Sequence, residues 1–189
     1  MRPPGLFAVQ PAPPHGAGSP RSAYGSHPLG EYRCAIEIER KFVVAELPAD
    51  LDRWPSSAIE QGYVAIADDG TEVRVRRRAG RAVLTVKSGG GRTRVEEELE
   101  IEPERFERLW PLTEGRRIEK TRYEIDGGAG VTIELDVYAG ALDGLVVAEV
   151  EFESEGAADA FEPPAWLGRE VTDDPRYKNQ RLALDGVPG

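Results

Sequence analysis

The chain has 189 residues and a formal net charge of −10, with 40% hydrophobic and 31% charged residues. This length and composition fit one soluble globular domain with a sizeable core. The negative charge argues against a nucleic-acid-binding surface, because phosphate backbones attract basic patches, and no apolar run of the sequence is long enough to span a membrane.

The N-terminal segment, residues 1–30, is rich in Pro, Gly, Ala and Ser and contains no Asp or Glu. Such a segment cannot bury enough apolar surface to fold, so it is predicted to be disordered. The folded domain is expected to span residues 31–189. Both histidines, His15 and His27, lie in the N-terminal segment. If that segment is not part of the fold, a Ser-His-Asp site, a Cys-His site and a histidine-ligated zinc site are all excluded.

The chain has a single cysteine, Cys34, so it cannot form an internal disulfide. A reducing compartment, the cytoplasm, is therefore the simplest location. Any metal in a domain without histidine would be bound by carboxylate oxygens, which suit Mg²⁺, Mn²⁺ or Ca²⁺.

The first predicted strand, residues 36–43, alternates apolar and charged side chains. This alternation places Glu37, Glu39 and Lys41 on one face of the strand. Two carboxylates beside an ammonium group could hold a divalent cation next to a phosphate. The alternative is an edge strand whose polar face is simply solvated.

Further strands are predicted along the chain by the same alternation. They span residues 59–67, 71–78, 82–88, 92–101, 119–125, 131–138 and 146–152. Helices or helical turns are predicted at residues 47–54, 104–110 and 157–161 and towards the end of residues 173–184. Most of the strands carry apolar residues on one face and acids or bases on the other.

The charged residues of these faces are sorted by sign. The acids are Glu37, Glu39, Glu96, Glu98, Glu134, Asp136, Glu149 and Glu151. The bases are Lys41, Arg74, Arg76, Lys87, Lys120, Arg122 and Lys178. A surface selected only for solubility would mix the two signs along each strand. Divalent cations would neutralise the acidic strands, and the bases favour an anion of high charge density such as a phosphoryl group.

Closure of the sheet would bring all these charged faces together. The predicted fold class is therefore mainly β (α+β), a closed antiparallel β-barrel tunnel with a charged lumen. The apolar faces would point outward, where a few helices would cover them.

The sequence Glu-Ile-Glu-Arg-Lys at residues 37–41 resembles the Glu-x-Glu-x-Lys signature of the CYTH domain family, also called triphosphate tunnel metalloenzymes. The resemblance extends over residues 36–184. Its other motifs are Gln61-Gly62-Tyr63, Arg74-Val75-Arg76, Thr85-Val86-Lys87, Glu96-Glu97-Glu98, Glu119-Lys120-Thr121-Arg122-Tyr123, Glu134-Leu135-Asp136, Glu149-Val150-Glu151-Phe152 and Tyr177-Lys178-Asn179. It implies a tunnel, open at both ends, that binds triphosphate together with Mg²⁺ or Mn²⁺.

The resemblance also implies a role for each matching charged residue. Glu37, Glu39 and Glu151 would hold the main metal, with Glu149 beside them. Glu98, Glu134 and Asp136 would hold a second metal or orient the attacking water. The residues expected to bind phosphate oxygens are Lys41, Arg74, Arg76, Lys87, Lys120, Arg122 and Lys178. Those expected to act in catalysis are Glu98, Asp136, Glu134, Lys41 and Arg76.

The length of the chain favours a metal-dependent hydrolase of inorganic triphosphate, similar to the short inorganic triphosphatases of the family. The alternatives are a thiamine triphosphatase, a nucleoside triphosphatase or a class IV adenylate cyclase, because the contacts are made to the phosphates. A second alternative is a non-catalytic module that binds polyphosphate. The expected partner is a small triphosphate or polyphosphate, and neither a nucleic acid nor a membrane.

The composition of residues 1–30 leads to a first prediction. A chain that starts at Glu31 should keep the melting temperature and the activity of the full chain within error, because the removed segment buries little apolar surface. Thermal denaturation and an activity assay of the two chains test this. A clear loss of either property would show that the segment docks on the domain.

Overall fold

The structure, a computed structural model, describes residues 38–87, 96–128 and 130–189. These residues belong to one compact unit, Cys34–Gly189. The strands are β1 (Ile38–Val43), β2 (Ser56–Ile66), β3 (Glu72–Arg78), β4 (Arg81–Lys87), β5 (Glu96–Ile101), β6 (Arg117–Asp126), β7 (Thr132–Ala139), β8 (Val146–Phe152) and β9 (Arg169–Glu170). The α-helices are α1 (Pro103–Leu109), α2 (Glu155–Ala160) and α3 (Asn179–Asp185). In the described parts of the chain, no helix is long and apolar enough to cross a membrane.

All the strands of the described residues form one sheet, in the order β5-β4-β3-β2-β6-β7-β8-β1-β9. Every pairing is antiparallel. The predicted antiparallel, mainly-β architecture with few helices is confirmed. The short strand β9 was not predicted, because two residues are too few to show an alternating pattern.

The predicted closure of the sheet into a barrel tunnel is wrong. β5 and β9 are the edges of the sheet, and no pairing between described residues joins them. The outer edge of β1 is occupied from Lys41 to Val43, since Phe42 and Val43 pair with β9 and the Val171 N–H donates to the Lys41 carbonyl oxygen at 2.7 Å. A closing β5 would also bring its glutamates next to Glu39 on β1, and like charges on neighbouring strands repel.

One apolar cluster lies on the face of β1 and β6–β8 that points away from the charged side chains. Leu135 and Val150 are fully buried in it. The irregular segments that follow β1 and β8 cover this cluster with Trp54, Phe161 and Leu167. Burial of large apolar side chains at this density is the main stabilising contribution to such a layer.

A second apolar cluster lies beneath α1 on β3 and β4. The helix begins with Pro103 at its first position, where a missing backbone N–H costs nothing. Its Phe106 is fully buried against Val75. Arg77 lies 4.5 Å above the Phe106 ring and binds Glu107 of the same helix at 2.5 Å, which fixes α1 on the sheet.

A third apolar cluster lies on the same side of the sheet as the charged residues. There α3 packs through Leu182 on Tyr63, Ile118 and Val147. These sheet residues occupy the same alternate positions of β2, β6 and β8 as the charged side chains of those strands or of their neighbours. The predicted charged lumen, open at both ends, is therefore corrected: α3 covers one end of this face with apolar contacts.

Gly62 lies where β2 passes the 3₁₀ segment Trp110–Thr113. A Cβ atom at Gly62 would lie 2.4 Å from Thr113 Oγ1 and 2.5 Å from Thr113 Cβ, and Thr113 is fully buried. We therefore expect Gly62→Ala to lower the free energy of unfolding by about 1–3 kcal/mol, as overpacking does. Urea denaturation measures this change.

Gly156 in α2 is the matched control, because a Cβ atom there would meet nothing within 4 Å. Gly156→Ala should be neutral or slightly stabilising, since alanine is the better helix former. Equal stabilities of the two variants would contradict the close approach at Gly62.

Candidate functional site

One face of the sheet, here called the charged face, carries ionised side chains on β1 and on β3–β8. The register brings them together: Lys41 lies opposite Glu149, Glu149 lies opposite Glu134, and Arg122 lies opposite Asp136. Among the described residues its central part holds six bases, Lys41, Arg74, Arg76, Lys87, Lys120 and Arg122. It also holds eight acids, Glu39, Glu72, Glu96, Glu98, Glu134, Asp136, Glu149 and Glu151.

Arg122 on β6 is the centre of the more buried half of the charged face. Its guanidinium lies 2.6 Å from Asp136 Oδ2 and 2.8 Å from Glu149 Oε2, and it also binds Glu134. These partners come from two strands, β7 and β8, so one side chain joins three strands. The surrounding carboxylates raise the pKa of Arg122 against the lowering effect of its burial. The guanidinium is therefore a permanent cation with all its partners in place.

Two buried lysines lie beside this centre. Lys120 Nζ lies 2.5 Å from Asp136 Oδ2, and Lys41 Nζ lies 2.8 Å from Glu149 Oε1. Burial lowers the pKa of Lys120, and Asp136 offsets this only in part. Burial acts on Lys41 in the same direction, but Glu149 and Glu39 outweigh it and raise the pKa of Lys41. Lys41 therefore keeps its positive charge more firmly than Lys120 does.

Glu149 receives contacts from both sides. Burial by itself would raise the pKa of Glu149, but the charges of Lys120, Lys41 and Arg122 outweigh burial and lower the pKa to about 2. A carboxylate that is this well compensated stays ionised at every physiological pH. It therefore has little remaining capacity to serve as a strong metal ligand while Lys41 and Arg122 hold it.

The other half of the charged face, on β3–β5, is paired more loosely. Lys87 Nζ lies 2.8 Å from Glu96, but Arg74 lies 3.4 Å from Glu96 and 3.8 Å from Glu98. Arg76 lies 3.4 Å from Glu98. The Arg74 and Arg76 distances are at or beyond the limit of a good charge-assisted hydrogen bond. The two arginines of this half therefore keep donor capacity for another acceptor.

Two further observations show that the described acids leave the arginines of this half partly uncompensated. The Nε atom of Arg74 is buried and has no hydrogen-bond partner within the described chain. Burial and the nearby positive charges of Arg74 and Arg122 lower the pKa of Arg76, against the effect of Glu98. An anion with several oxygens would satisfy the free donor and relieve the repulsion between the arginines.

The acids at the open end of the charged face fit a hard divalent cation by their chemistry. Glu39 on β1 lies directly opposite Glu151 on β8, and a divalent cation beside two neighbouring carboxylates would offset their mutual repulsion. Lys41 approaches Glu39 only to 3.8 Å. Within the described ranges no three acids form a complete metal-binding group. The predicted ligand Glu37 lies outside the described residues.

The structure places the last predicted base, Lys178, differently from the others. Lys178 is exposed and directly precedes α3. Its neighbour Asn179 accepts a hydrogen bond from Tyr138 OH at 3.0 Å, and Gln180 donates to Glu72 Oε2 at 3.0 Å. The start of α3 therefore meets the charged face through Asn179 and Gln180, whereas the side chain of Lys178 is exposed.

Sequence reasoning omitted Glu72, Tyr63 and Tyr138 from the site. Glu72 stands two positions before the first arginine of β3, so the alternation of that strand contained the signal. Burial and the surrounding acids raise the pKa of Tyr138, and burial and Glu72 raise that of Tyr63. Both tyrosines are thus neutral hydroxyl groups at the α3 end of the charged face.

Glu149 provides a prediction about acid stability. Its pKa in the folded protein is about 2, below the ordinary value of 4.5. The stabilisation from this group is therefore complete above about pH 4.5 and is lost as the pH falls towards about 2. Glu149→Gln should lower the free energy of unfolding at pH 7 by about 3 kcal/mol, because Lys41 and Arg122 lose a partner, and should flatten its decline below pH 5. Urea denaturation over a pH series measures both effects.

Glu97→Gln is the control, because Glu97 is exposed on the opposite face of β5. It should keep the wild-type stability and the wild-type acid dependence. If Glu149→Gln retained the full wild-type decline below pH 5, another group would be responsible for acid unfolding.

The CYTH domain family matches residues 35–179 of the chain. An inorganic triphosphatase of Nitrosomonas europaea is 51% identical over 149 residues, which cover 78% of this chain and 97% of that protein. An inorganic triphosphatase of Acetivibrio thermocellus is 42% identical over 152 residues, covering 77% of this chain and 92% of that protein. The crystal structure of the inorganic triphosphatase NE1496 is similar with a TM-score of 0.68 and 47% identity, covering 82% of this chain and 98% of that one. The matched residues include the whole charged face, and the chain belongs to the CYTH domain family.

Proposed function

We propose that this chain is a metal-dependent enzyme that hydrolyses inorganic triphosphate to diphosphate and phosphate. The observation that carries the proposal is the charged face, where six bases stand among eight acids on one side of a sheet. Two relatives that cover most of the chain, at 51% and 42% identity, are named inorganic triphosphatase.

The balance of charge on this face favours metal together with substrate. The acids outnumber the bases, so a bound cation would strengthen the binding of a highly charged anion at the Lys and Arg side chains. Glu39 and Glu151, with Glu37 outside the described residues, would hold the main metal, and Glu98 would take part in holding a second one. Mg²⁺ or Mn²⁺ is proposed because carboxylate oxygens are their preferred ligands. A bound ion of this kind polarises a phosphoryl group and lowers the pKa of the attacking water.

The bases of the loosely paired half would bind the phosphate oxygens. Arg74 and Arg76 keep donor capacity that the acids of β5 do not saturate, and Lys87 is paired with the partly exposed Glu96. Fixed cations around a phosphoryl group stabilise the charge that spreads over its oxygens during transfer. Lys41 and Arg122, whose raised pKa values keep them charged, would extend this positive row towards the metal-binding acids.

Among the described acids, Glu98 is the one best placed to orient the attacking water. It is accessible, accepts a hydrogen bond from Thr85 at 3.1 Å and approaches Arg76 only to 3.4 Å. Asp136 is fully buried and both its oxygens are engaged, while Glu134 is bound to Arg122. We therefore assign Asp136 and Glu134 to the positioning of Lys120 and Arg122.

We propose inorganic triphosphate as the substrate rather than thiamine or nucleoside triphosphate, because both relatives are named inorganic triphosphatase. All these substrates share the phosphate chain, so the charged face itself would bind each of them. We place the reaction in the cytoplasm, because a chain with one cysteine forms no internal disulfide.

The test is the release of phosphate from inorganic triphosphate, thiamine triphosphate and ATP. Release should require Mg²⁺ or Mn²⁺, stop in excess EDTA and be fastest with inorganic triphosphate. Ca²⁺ should inhibit, because its longer and looser coordination fits an in-line transfer poorly. Binding without any release would identify a polyphosphate-binding module, and full activity in EDTA would exclude the metal.

Arg76→Ala and Arg81→Ala form a matched pair within this test. Arg76 lies in the centre of the charged face, whereas Arg81 is exposed at its end and pairs with Glu100. Arg76→Ala should reduce kcat/KM roughly tenfold to a hundredfold, the scale of one charged hydrogen bond to the reacting group. Arg81→Ala should keep the wild-type value within about twofold.

A further inference from the structure

Glu96, at the start of β5, contacts two of the bases proposed to bind phosphate. Its Oε2 atom lies 2.8 Å from Lys87 Nζ, and its Oε1 atom lies 3.4 Å from an Arg74 terminal nitrogen. Lys87 lies directly opposite Glu96 in the β4–β5 register. One carboxylate therefore occupies positions next to both cations.

The contacts of Glu96 are weak in comparison with those of the buried half. Its side chain is 36% exposed, and so water screens its attraction for Lys87 and Arg74. Asp136, in contrast, is fully buried and lies 2.5 and 2.6 Å from its two bases. Water screening and longer distances make Glu96 easier to displace than Asp136.

Arg74 shows that Glu96 does not satisfy the cations that it contacts. The Nε atom of Arg74 is buried without a hydrogen-bond partner in the described protein, and its other acids, Glu72 and Glu98, lie 3.8 Å away. A single carboxylate with two oxygens cannot bind Lys87 and also accept hydrogen bonds from all the N–H donors of the Arg74 guanidinium. A phosphate group has more oxygens and more charge, and can serve both cations.

We propose that Glu96 is an internal competitor that occupies the cations Lys87 and Arg74 until a more highly charged phosphate chain displaces it. This inference rests on the proposed function, because it takes these two bases as part of the phosphate-binding set. Displacing Glu96 costs its contacts with both bases, and every anion that binds there meets the same cost. An anion of low charge regains little of it, while triphosphate regains more through additional contacts. Glu96 thereby raises the negative charge that a ligand needs in order to bind to Lys87 and Arg74.

The decisive variant is Glu96→Gln, which removes the charge and keeps the shape of the side chain. Binding of inorganic triphosphate is measured by titration calorimetry in EDTA, where no turnover is expected. The variant should bind about three- to tenfold more tightly than wild type, the scale expected for loss of a partly exposed competing charge. Under turnover with Mg²⁺, KM for triphosphate should fall and inhibition by diphosphate should strengthen, with kcat within about twofold.

Glu100→Gln is the matched control on the same face of the same strand. Glu100 pairs with Arg81 at the exposed end, outside the proposed phosphate-binding set. The affinity of the Glu100→Gln variant for triphosphate should stay within about twofold of wild type. If the role of Glu96 were purely structural, Glu96→Gln would lower the melting temperature without tightening the binding of triphosphate. Competition instead predicts lower stability of the ligand-free protein together with tighter binding.

The Lys87→Gln background provides a second, independent readout. If Glu96 acts by competing for Lys87, the gain from Glu96→Gln should shrink in that background, since the contested cation is gone. Unchanged or weaker binding by Glu96→Gln, or no binding by either protein in EDTA, would overturn the inference. If the wild type hydrolysed no triphosphate with any metal, the proposed function would be rejected. The calorimetric comparison would still decide whether Glu96 competes with a bound phosphate chain, because it measures binding and not turnover.

Discussion

The contacts of Arg122 with three carboxylates from two neighbouring strands are the constraint on which the site depends. Charges that leave water lose several kcal/mol of hydration each, so a buried group must be compensated almost completely. Arg122, Asp136, Glu149 and the two adjacent lysines achieve this together. A slip of one residue in any of these strands would turn the charges into the apolar cluster on the other face, so the network also enforces the register.

The two halves of the charged face differ in how firmly their charges are paired. In the half around Arg122, contacts of 2.5–2.8 Å between buried groups leave little room for exchange of partners. In the half on β3–β5, the arginines lie 3.4–3.8 Å from accessible glutamates. A tightly paired half beside a loosely paired one suits the binding and release of a polyanion, because only the loosely paired half has to exchange its partners.

Two C-terminal elements, the segment around β9 and α3, lie at the boundaries of the open sheet and its charged face. The segment around β9 occupies the outer edge of β1 from Lys41 to Val43, so β5 does not pair with these residues. α3 then covers one end of the charged face with an apolar contact on Tyr63 and Ile118. The charged face is thus bounded by two elements with no charged alternation of their own.

The alternation of each strand was readable from the sequence, because a pleated strand places every second side chain on the same face. It predicted the eight long strands and the grouping of Lys41, Arg76 and Arg122 with their acids. The signature at 37–41, together with the ordered charged pairs that follow it, led to the correct family. Glu72 followed the same alternation and could have been found. The sequence therefore determined which side chains share a face and what ligand chemistry they favour.

Only the tertiary structure decided whether the sheet closes and how each charge is paired. β9 pairs with the outer edge of β1, where a closing strand would have to pair, and two residues such as Arg169 and Glu170 leave no periodic signal of that pairing. The difference between Glu149, buried between two bases, and Glu96, loosely held by two others, is likewise absent from the alternation. Pairing depends on distance and burial, and these arise only when strands distant in sequence pack side by side.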